Sequence, residues 1–322
     1  MSMRRITVFR IYLCALFLLS LPIVLAAAAA WQPPSQPKTA VIAHRGASGH
    51  APEHTLSSYR LAALMNADYI EVDVRATKDG KLVVLHDATL ARTTNVETVY
   101  PHRSPWRVSD FSLRELKKLD AGSWFDPRFA GECVPTLDEV VRMLKAERVN
   151  VPLYVETKQP GIERAVARLL QKHGVLQRGS VMFQSFHPES LQALRPLIPR
   201  GVPLIQLVGE KEARSGRDEL LQQIAVYADG IGLPLSAVTE EWVRAAHGRG
   251  SWFTSIPSMN HTISLAYAPW AWTVCSPIIQ TALAALPPAV VCPVIDPPSG
   301  SQGELILYIM LLRLIKTKIV PI

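Results

Sequence analysis

Short apolar segments alternate with amphipathic segments over most of the chain, from residue 39 to residue 250. An apolar run of about four to eight residues is typical of a buried strand, whereas apolar residues that recur every three or four positions are typical of a helix with one buried face. The clearest predicted strands are 39–43, 69–74, 152–157 and 180–186. Because these strands lack a polar face, the pattern predicts a parallel sheet that helices cover on its outer side.

One large α/β domain accounts for this pattern. A (β/α)8 barrel needs roughly 250 residues, which the 322-residue chain supplies once but not twice. We therefore predict a barrel domain over residues 39–250. Within it, residues 87–135 are irregular and rich in Thr, Arg and Trp, and we interpret them as a long insertion that shapes the functional site.

The amino terminus has the organisation of a secretory signal peptide. Three arginines in the first ten residues precede an apolar run at 11–25 and five alanines at 26–30, which is the order of a basic region, a hydrophobic region and a small-residue cleavage site. We expect residues 1–30 to be removed on export to the periplasm or the extracellular space, and residues 31–38 to be a linker. The alternative is a retained membrane anchor, but the apolar run is shorter than the roughly 20 residues that span a bilayer.

Polar residues lie within or directly after the predicted strands. His44 and Arg45 follow the first strand, and Glu71 and Asp73 are two positions apart in the second strand, so that both side chains point to one face. The sequence Lys-Asp-Gly-Lys at 78–81 predicts a hairpin turn. This turn would pair the following segment with the second strand and bring His86 towards the two acids.

This combination of side chains suits metal-assisted attack on a phosphodiester. Carboxylate oxygens bind a hard divalent cation, a guanidinium binds phosphate oxygens, and imidazoles that titrate near neutrality transfer protons. Oxygen ligands alone favour Ca²⁺ or Mg²⁺ over zinc. Taken singly, each residue also has an ordinary interpretation: the two acids as solvated charges at a strand end, a histidine as a packed or surface residue, and Arg45 as the partner of a nearby acid.

The charge of the chain does not indicate a nucleic-acid partner. The arginines of the leader contribute to the formal net charge of +7, and the remaining chain has no run of Lys and Arg interleaved with aromatic residues. We expect a small anionic substrate, with membrane contact only through the signal peptide or an uncleaved anchor. No sequence feature indicates an oligomeric state.

The pattern changes after Gly250. Residues 251–322 contain few charged residues, recurrent prolines, and tryptophans without a strand or helix period. We therefore expect an irregular tail in place of the last two barrel strands. Read in a shifted frame, codons for the segment around Trp252 and for residues 269–280 permit two strand-like strings, L-V-H-V-Y-T-I-N-E-P and A-M-G-V-D-G-V-F-T-D-Y-P. This predicts a frameshift in the gene, and a genuinely divergent tail is the alternative.

The ordered motifs resemble the glycerophosphodiester phosphodiesterase family, whose pattern is H-R-G, P-E-N-T, E-x-D and H-D. The matching segments are His44-Arg45-Gly46, Pro52-Glu53-His54-Thr55, Glu71-Val72-Asp73 and His86-Asp87, followed by Thr89-Leu90, Arg92-Thr93-Thr94, Leu119 to Phe125, Pro135-Thr136-Leu137 and Glu156-Thr157-Lys158. The resemblance covers about residues 41–250. His54 stands where the family usually has Asn, and we interpret it as a minor departure and a structural or surface histidine.

The resemblance implies a TIM barrel of the phospholipase C-like phosphodiesterase type, with its site at the carboxyl ends of the strands. The residues implied as ligands of one divalent cation, Ca²⁺ or Mg²⁺, are Glu71, Asp73 and Glu156, with Glu53 in support. The implied acid/base pair is His44 and His86, and the implied phosphate-binding residues are Arg45 and Lys158. The ordinary alternative for Lys158 is pairing with Glu156.

The implied activity is metal-dependent hydrolysis of a glycerophosphodiester to glycerol 3-phosphate and an alcohol. Two alternatives remain at this point. One is a phospholipase that acts on lipids, of the sphingomyelinase D or phosphoinositide phospholipase C kind. The other is an inactive product with an incomplete barrel, because an unclosed parallel sheet leaves backbone groups of its edge strands unpaired.

Overall fold

The computed structural model describes residues 39–256 and 263–267. The predicted signal peptide, the predicted linker and the shifted-frame segment 269–280 therefore lie outside the described residues. The strands are β1 (Thr39–Ala43), β2 (Tyr69–Ala76), β3 (Leu82–Val84), β4 (Leu153–Thr157), β5 (Val181–Ser185), β6 (Leu204–Leu207), β7 (Gly230–Pro234), β8 (Trp252–Ile256) and β9 (Ile263–Tyr267). The helices are α1 (Leu56–Leu64), α2 (Val96–Val99), α3 (Leu113–Leu116), α4 (Leu137–Ala146), α5 (Glu163–Lys172), α6 (Pro188–Leu194), α7 (Glu210–Ala213), α8 (Arg217–Ile224) and α9 (Glu240–Gly248).

The strands form a barrel in which β1, β2, β4, β5, β6, β7 and β8 are parallel neighbours in that order. β9 lies between β8 and β1 and runs antiparallel to both. β3 pairs back on β2 as the outer arm of the predicted hairpin. The predicted α/β barrel is thus confirmed, and its carboxyl-terminal part is irregular: within the described residues an antiparallel strand stands where an eighth parallel strand would be.

The predicted start of the irregular tail at residue 251 is wrong by one strand. Trp252–Ile256 form β8, which pairs with β7 along its whole length. Phe253, Thr254 and Ser255 are all buried. Thr254 and Ser255 interrupt the apolar residues of this strand, so the segment lacks the continuous apolar run from which buried strands were predicted.

The two faces of the strands have different partners. Outward-facing residues such as Val72, Val155 and Phe183 form one large core with the covering helices. Inward-facing residues form a smaller cluster inside the barrel: Ile42, Tyr154, Met182, Ile205 and Leu207. Asp73, Glu156 and Gln184 are paired in register across β2, β4 and β5, one step along the inner face from Glu71, Tyr154 and Met182. The barrel interior is therefore apolar towards the amino ends of the strands and acidic towards their carboxyl ends.

Local sequence signals account for the helix boundaries. Thr136 caps α4 and forms a reciprocal capping box with Glu139. The apolar spacing of residues 211–225 predicts one helix, but the structure has two helices there, α7 and α8. They separate at Gly216, whose φ of +153° is incompatible with a continuous helix.

The insertion has a buried cluster of its own. Leu90, Val96, Val108, Phe111 and Leu116 pack together beside β3, and α2, α3 and two short 3₁₀ turns at Val108–Asp110 and Pro127–Phe129 supply its backbone. Its last residues pair with the barrel through the isolated bridge between Val83 and Thr136. The insertion is therefore packed against the strand that leads to His86. Within the described residues, no helix has the length and apolarity needed to cross a bilayer.

Candidate active site

The loop after β1 places His44 and Arg45 at the carboxyl end of the barrel. Arg45 and Gly46 both have left-handed backbone angles, with φ of +60° and +82°. This turn directs the backbone N–H of Arg45 to Glu71, where it donates to Oε2 at 2.7 Å. Ser58 packs directly against Gly46, so a side chain there would collide with α1. The sequence His44-Arg45-Gly46 thus fixes the first strand end against the acids of the second.

Three buried carboxylates converge at this end of the barrel. Glu71, Asp73 and Glu156 are 2%, 1% and 6% exposed. Burial and the neighbouring charges of Asp73 and Glu156 raise the pKa of Glu71, and burial and Asp73 raise the pKa of Glu156 to about 8. Burial also opposes ionisation of Asp73, but Lys158 and a hydrogen bond from His54 hold its pKa well below the usual value. The crowded site therefore disfavours three simultaneous negative charges.

The donor set fits a hard divalent cation. Asp73 Oδ1 is buried and has no hydrogen-bond partner among the described residues, although Lys158 Nζ lies 3.7 Å away. An ionised buried oxygen without a partner is costly unless a cation satisfies it. Ligand atoms of Glu71, Asp73 and His54 lie within 4.8 Å of one another, a spacing that one ion can bridge.

His54 belongs to this site, so its interpretation as a structural or surface histidine is wrong. Its Nε2 lies 2.7 Å from Asp73 Oδ2 and its Nδ1 lies 2.7 Å from the hydroxyl of Tyr59. Burial lowers the pKa of His54 despite the nearby carboxylate of Asp73. The available sequence signal was its position in Pro52-Glu53-His54-Thr55, where it replaces the usual asparagine. Its contact with Asp73, 19 positions away, depends on the three-dimensional fold.

Two further polar residues, Lys158 and Gln184, contact the acidic residues of the site. Lys158 Nζ pairs with Glu156 Oε1 at 2.7 Å and lies 5.9 Å from the ring centre of Phe186. Lys158 is therefore placed at the site, and the pairing that was its ordinary alternative is also present. Gln184, which the sequence analysis missed, directs its amide towards Glu71 Oε1 at 3.4 Å. Gln184 precedes Ser185 at the carboxyl end of the predicted strand over residues 180–186, and this position was the signal that could have found it.

Arg45 has capacity to bind a further acceptor. Its Nη1 donates to Glu53 Oε1 at 3.1 Å, and its Nε lies 3.8 Å from Asp73 Oδ2. This Nε is buried and makes no hydrogen bond to any described residue. A guanidinium with an unused donor beside a candidate cation site suits a phosphate oxygen. The supporting acid Glu53 contacts two arginines, Arg45 and Arg92, rather than the other carboxylates.

The two predicted acid/base histidines lie in different electrostatic surroundings. Burial and the adjacent Arg45 guanidinium lower the pKa of His44 to about 3, so it is neutral at pH 7, contrary to the expected titration near neutrality. His86 donates through Nδ1 to Asp87 Oδ1 at 2.6 Å, and Arg75 donates two hydrogen bonds to the backbone carbonyl of His86. The structure thus holds His86 from both its ring and its backbone.

A charged network connects His86 to Arg45 through the insertion. Arg92 donates to both oxygens of Glu53, at 2.9 and 2.7 Å, and to both oxygens of Asp87. Arg92 and Asp87 were visible in the matched motifs but received no role. Their side-chain contacts are the part of the site that the motif pattern alone did not reveal.

The comparisons with known proteins agree with this geometry. The profile of the Glycerophosphoryl diester phosphodiesterase family matches residues 44–252, a range that contains all the predicted site residues. A glycerophosphodiester phosphodiesterase of Bacillus subtilis (strain 168) is 39% identical over 265 residues, which cover 77% of this chain and 86% of that protein.

Solved structures of related proteins have the same fold. A crystal structure of a glycerophosphodiester phosphodiesterase from Agrobacterium tumefaciens str. C58 aligns with a TM-score of 0.53 and 32% identity, covering 66% of this chain and 84% of that one. An Oleispira antarctica phosphodiesterase in complex with the product sn-glycerol-3-phosphate aligns with a TM-score of 0.57 and 29% identity, covering 68% and 84%. The chain is therefore a phosphoric diester hydrolase that belongs to the glycerophosphoryl diester phosphodiesterase family.

Proposed function

We propose that this chain hydrolyses glycerophosphodiesters to glycerol 3-phosphate and an alcohol with one bound divalent cation, Ca²⁺ or Mg²⁺. The observation that carries the proposal is the convergence of Glu71, Asp73 and Glu156 beside Arg45 and two histidines at one end of the barrel. Two relatives support the substrate class: one is named as a glycerophosphodiester phosphodiesterase, and the other is a phosphodiesterase solved in complex with the product sn-glycerol-3-phosphate.

Glu71, Asp73 and Glu156 would hold the cation. Three observations support this assignment: their burial, their mutual repulsion, and Asp73 Oδ1, which accepts no hydrogen bond from any described residue. When bound, such a cation supplies positive charge to the phosphate oxygens and orients and acidifies the attacking hydroxyl. Carboxylate ligands without sulfur favour Ca²⁺ or Mg²⁺.

The protein side chains would bind the phosphate and move the protons. Arg45 and Lys158 would hold non-bridging oxygens; Arg45 Nε makes no hydrogen bond to any described residue, and Lys158 Nζ lies beside Asp73, which supports this role. His44 is neutral and therefore able to accept the proton of the attacking hydroxyl. Asp87 Oδ1 accepts a hydrogen bond from His86 Nδ1 and orients the ring, so His86 would protonate the departing alkoxide. Attack by a glycerol hydroxyl of the substrate would give a cyclic phosphate. Water would then open this cyclic phosphate with the roles of the two histidines reversed, so that both rings return to their starting protonation states.

The decisive experiment follows release of glycerol 3-phosphate from glycerophosphocholine by the purified chain. Activity should be lost on chelation and restored by Ca²⁺ or Mg²⁺. His44→Asn and His86→Asn should each lower kcat about 10²–10⁴-fold, whereas His102→Asn, at an exposed position of the insertion, should leave it unchanged. Turnover of lipid in vesicles without turnover of glycerophosphocholine would instead support a phospholipase, and inactivity with both substrates would contradict the proposal.

We further propose that the chain is exported and that its gene has lost the reading frame after Gly250. The basic, apolar and small-residue order at residues 1–30 supports export, and the antiparallel β9 in place of an eighth parallel strand supports a disturbed carboxyl terminus. Mass spectrometry of the secreted chain tests the first proposal. Sequencing the locus tests the second, because an early stop codon in the shifted frame would exclude it.

A further inference from the structure

Three buried side chains form a continuous hydrogen-bonded line behind the acidic cluster. The Tyr59 hydroxyl contacts His54 Nδ1 at 2.7 Å, and His54 Nε2 contacts Asp73 Oδ2 at 2.7 Å. The three residues are 0%, 2% and 1% exposed, so water does not compete for these contacts. None of the roles described so far requires Tyr59, which leaves the purpose of this line unexplained.

The groups at the two ends determine which atoms of the line donate hydrogen bonds and which accept them. An ionised carboxylate only accepts hydrogen bonds, so the proton on His54 lies on Nε2 and is donated to Asp73. In that tautomer Nδ1 accepts, and the Tyr59 hydroxyl is the donor. The line therefore runs from Tyr59 through a neutral His54 to Asp73 Oδ2, and it satisfies both ring nitrogens of His54.

This arrangement distinguishes the two oxygens of Asp73. Oδ2 is taken by His54, whereas Oδ1 lacks a hydrogen-bond partner within the described residues and lies on the side of Lys158. We propose that Tyr59 and His54 are positioning residues that hold Asp73 in one rotamer, with Oδ1 presented to the cation. This inference rests on the proposed cation. In it, His54 orients Asp73 and does not itself bind the cation.

The backbone of His54 is also held in place. His54 has a φ of +57°, and its N–H donates to the carbonyl of Arg45 at 3.1 Å. Asparagine tolerates this left-handed conformation well, and its amide also donates a hydrogen bond. A His54→Asn variant is therefore the conservative replacement, because it retains a donor towards Asp73 while removing the imidazole.

Nitrogen-15 NMR of the histidine rings tests the direction of the line without any cation. The His54 signal should show the Nε2-protonated tautomer, and it should keep that proton when Ca²⁺ or Mg²⁺ is added. Loss of the Nε2 proton on addition of the cation would make His54 a ligand and overturn the proposal. The Nδ1-protonated tautomer in the cation-free protein would overturn it as well.

Calorimetric titration of Ca²⁺ and Mg²⁺ tests the effect on the site. His54→Ala should raise the Kd about 10–100-fold, the usual effect of losing a residue that orients a ligand, and His54→Asn should restore most of the affinity. Tyr59→Phe should weaken binding less and should show a mixture of ring tautomers. Tyr100→Phe is the matched control, because its buried hydroxyl lies in the insertion, and it should bind like the unaltered chain.

The failures of the two proposals are distinguishable. If the unaltered chain binds neither cation while His54 shows the Nε2-protonated tautomer, the cation of the proposed function is wrong and the positioning role falls with it. If the chain binds a cation and His54→Ala binds it equally well, only the positioning role is wrong. Thermal unfolding of each variant without cation shows whether the variant is folded.

Discussion

Arg92 forms a forked ion pair with Asp87, with 2.6 Å between Nε and Oδ2 and 3.1 Å between Nη2 and Oδ1. The same guanidinium binds Glu53, which in turn contacts Arg45. One residue of the insertion therefore links the acid beside His86 to the loop that carries Arg45. Three predictions concern this network and the acidic cluster, and a fourth concerns Gly46.

Asp87→Asn should lower kcat by about 10²-fold or more, with a small change in KM. The amide preserves the size of the side chain, but it is a weaker acceptor than the carboxylate for the hydrogen bond that orients the ring of His86. Steady-state kinetics with glycerophosphocholine measure the effect. Asp110→Asn, an exposed acid of the same insertion, is the matched control, and equal kcat values for the two variants would contradict the role of Asp87.

Arg92→Gln should destabilise the protein in a pH-dependent manner. Burial opposes ionisation of Glu53, but Arg92 and the charges around it lower the pKa of Glu53 from 4.5 to about 2. Because the folded-state pKa is lowered, this ion pair stabilises the protein fully above pH 4.5 and loses its effect as the pH falls towards 2. Urea unfolding should therefore show the largest difference from the unaltered chain near pH 7 and a shrinking one below pH 4.5.

The control for that experiment is Arg142→Gln, which breaks an exposed pair with Asp138. Exposed pairs contribute little to stability. A difference for Arg92→Gln that does not depend on pH would show that packing of the arginine, rather than its charge, is what matters.

Glu71→Gln should have opposite effects on stability without and with the cation. In a chelator, the variant should be at least as stable as the unaltered chain, because a crowded buried carboxylate with a raised pKa is removed. Ca²⁺ or Mg²⁺ at 100 times its Kd should stabilise the unaltered chain by about 2.7 kcal/mol, and this gain should disappear in the variant. Thermal unfolding measures both effects, and Glu97→Gln, at an exposed position, should behave like the unaltered chain.

Gly46→Ala should be more destabilising than Gly80→Ala. Both glycines have a positive φ, of +82° and +71°, so each substitution should incur a backbone cost of about 1–3 kcal/mol. A Cβ at position 46 would also lie 2.9 Å from the backbone carbon of Ser58, whereas one at position 80 meets nothing within 4 Å. Chemical unfolding of the two variants isolates this steric contribution, and equal losses would contradict the close approach of the loop to α1.

The sequence predicted the parts of the site that depend on local geometry. The spacing of Glu71 and Asp73 predicted that they share a face, and the turn at residues 78–81 predicted the hairpin that leads to His86. Both follow from the two-residue period of a strand and the length of a turn. These two predicted relationships are independent of where the strand lies in the fold.

The parts that the sequence did not predict depend on distant contacts. His54 approaches Asp73 only because α1 packs against β2, and Arg92 reaches Glu53 only because the insertion folds back over the barrel. β8 was missed because Thr254 and Ser255 interrupt its apolar residues, so it lacks the continuous apolar run that predicted the other buried strands. Gly216 was read as part of one helix, since a single glycine does not reveal its backbone angle.

The pairing of β1 with β9 joins residue 43 to residue 263 and residue 39 to residue 267. During synthesis, the first strand therefore leaves the ribosome long before one of its two neighbours exists. At typical elongation rates the delay is about ten seconds or more. For that time the first strand has an unpaired edge. Folding of the barrel therefore finishes only after β9 has been translated. A nascent chain halted before that point keeps unpaired backbone groups that are able to pair with another chain.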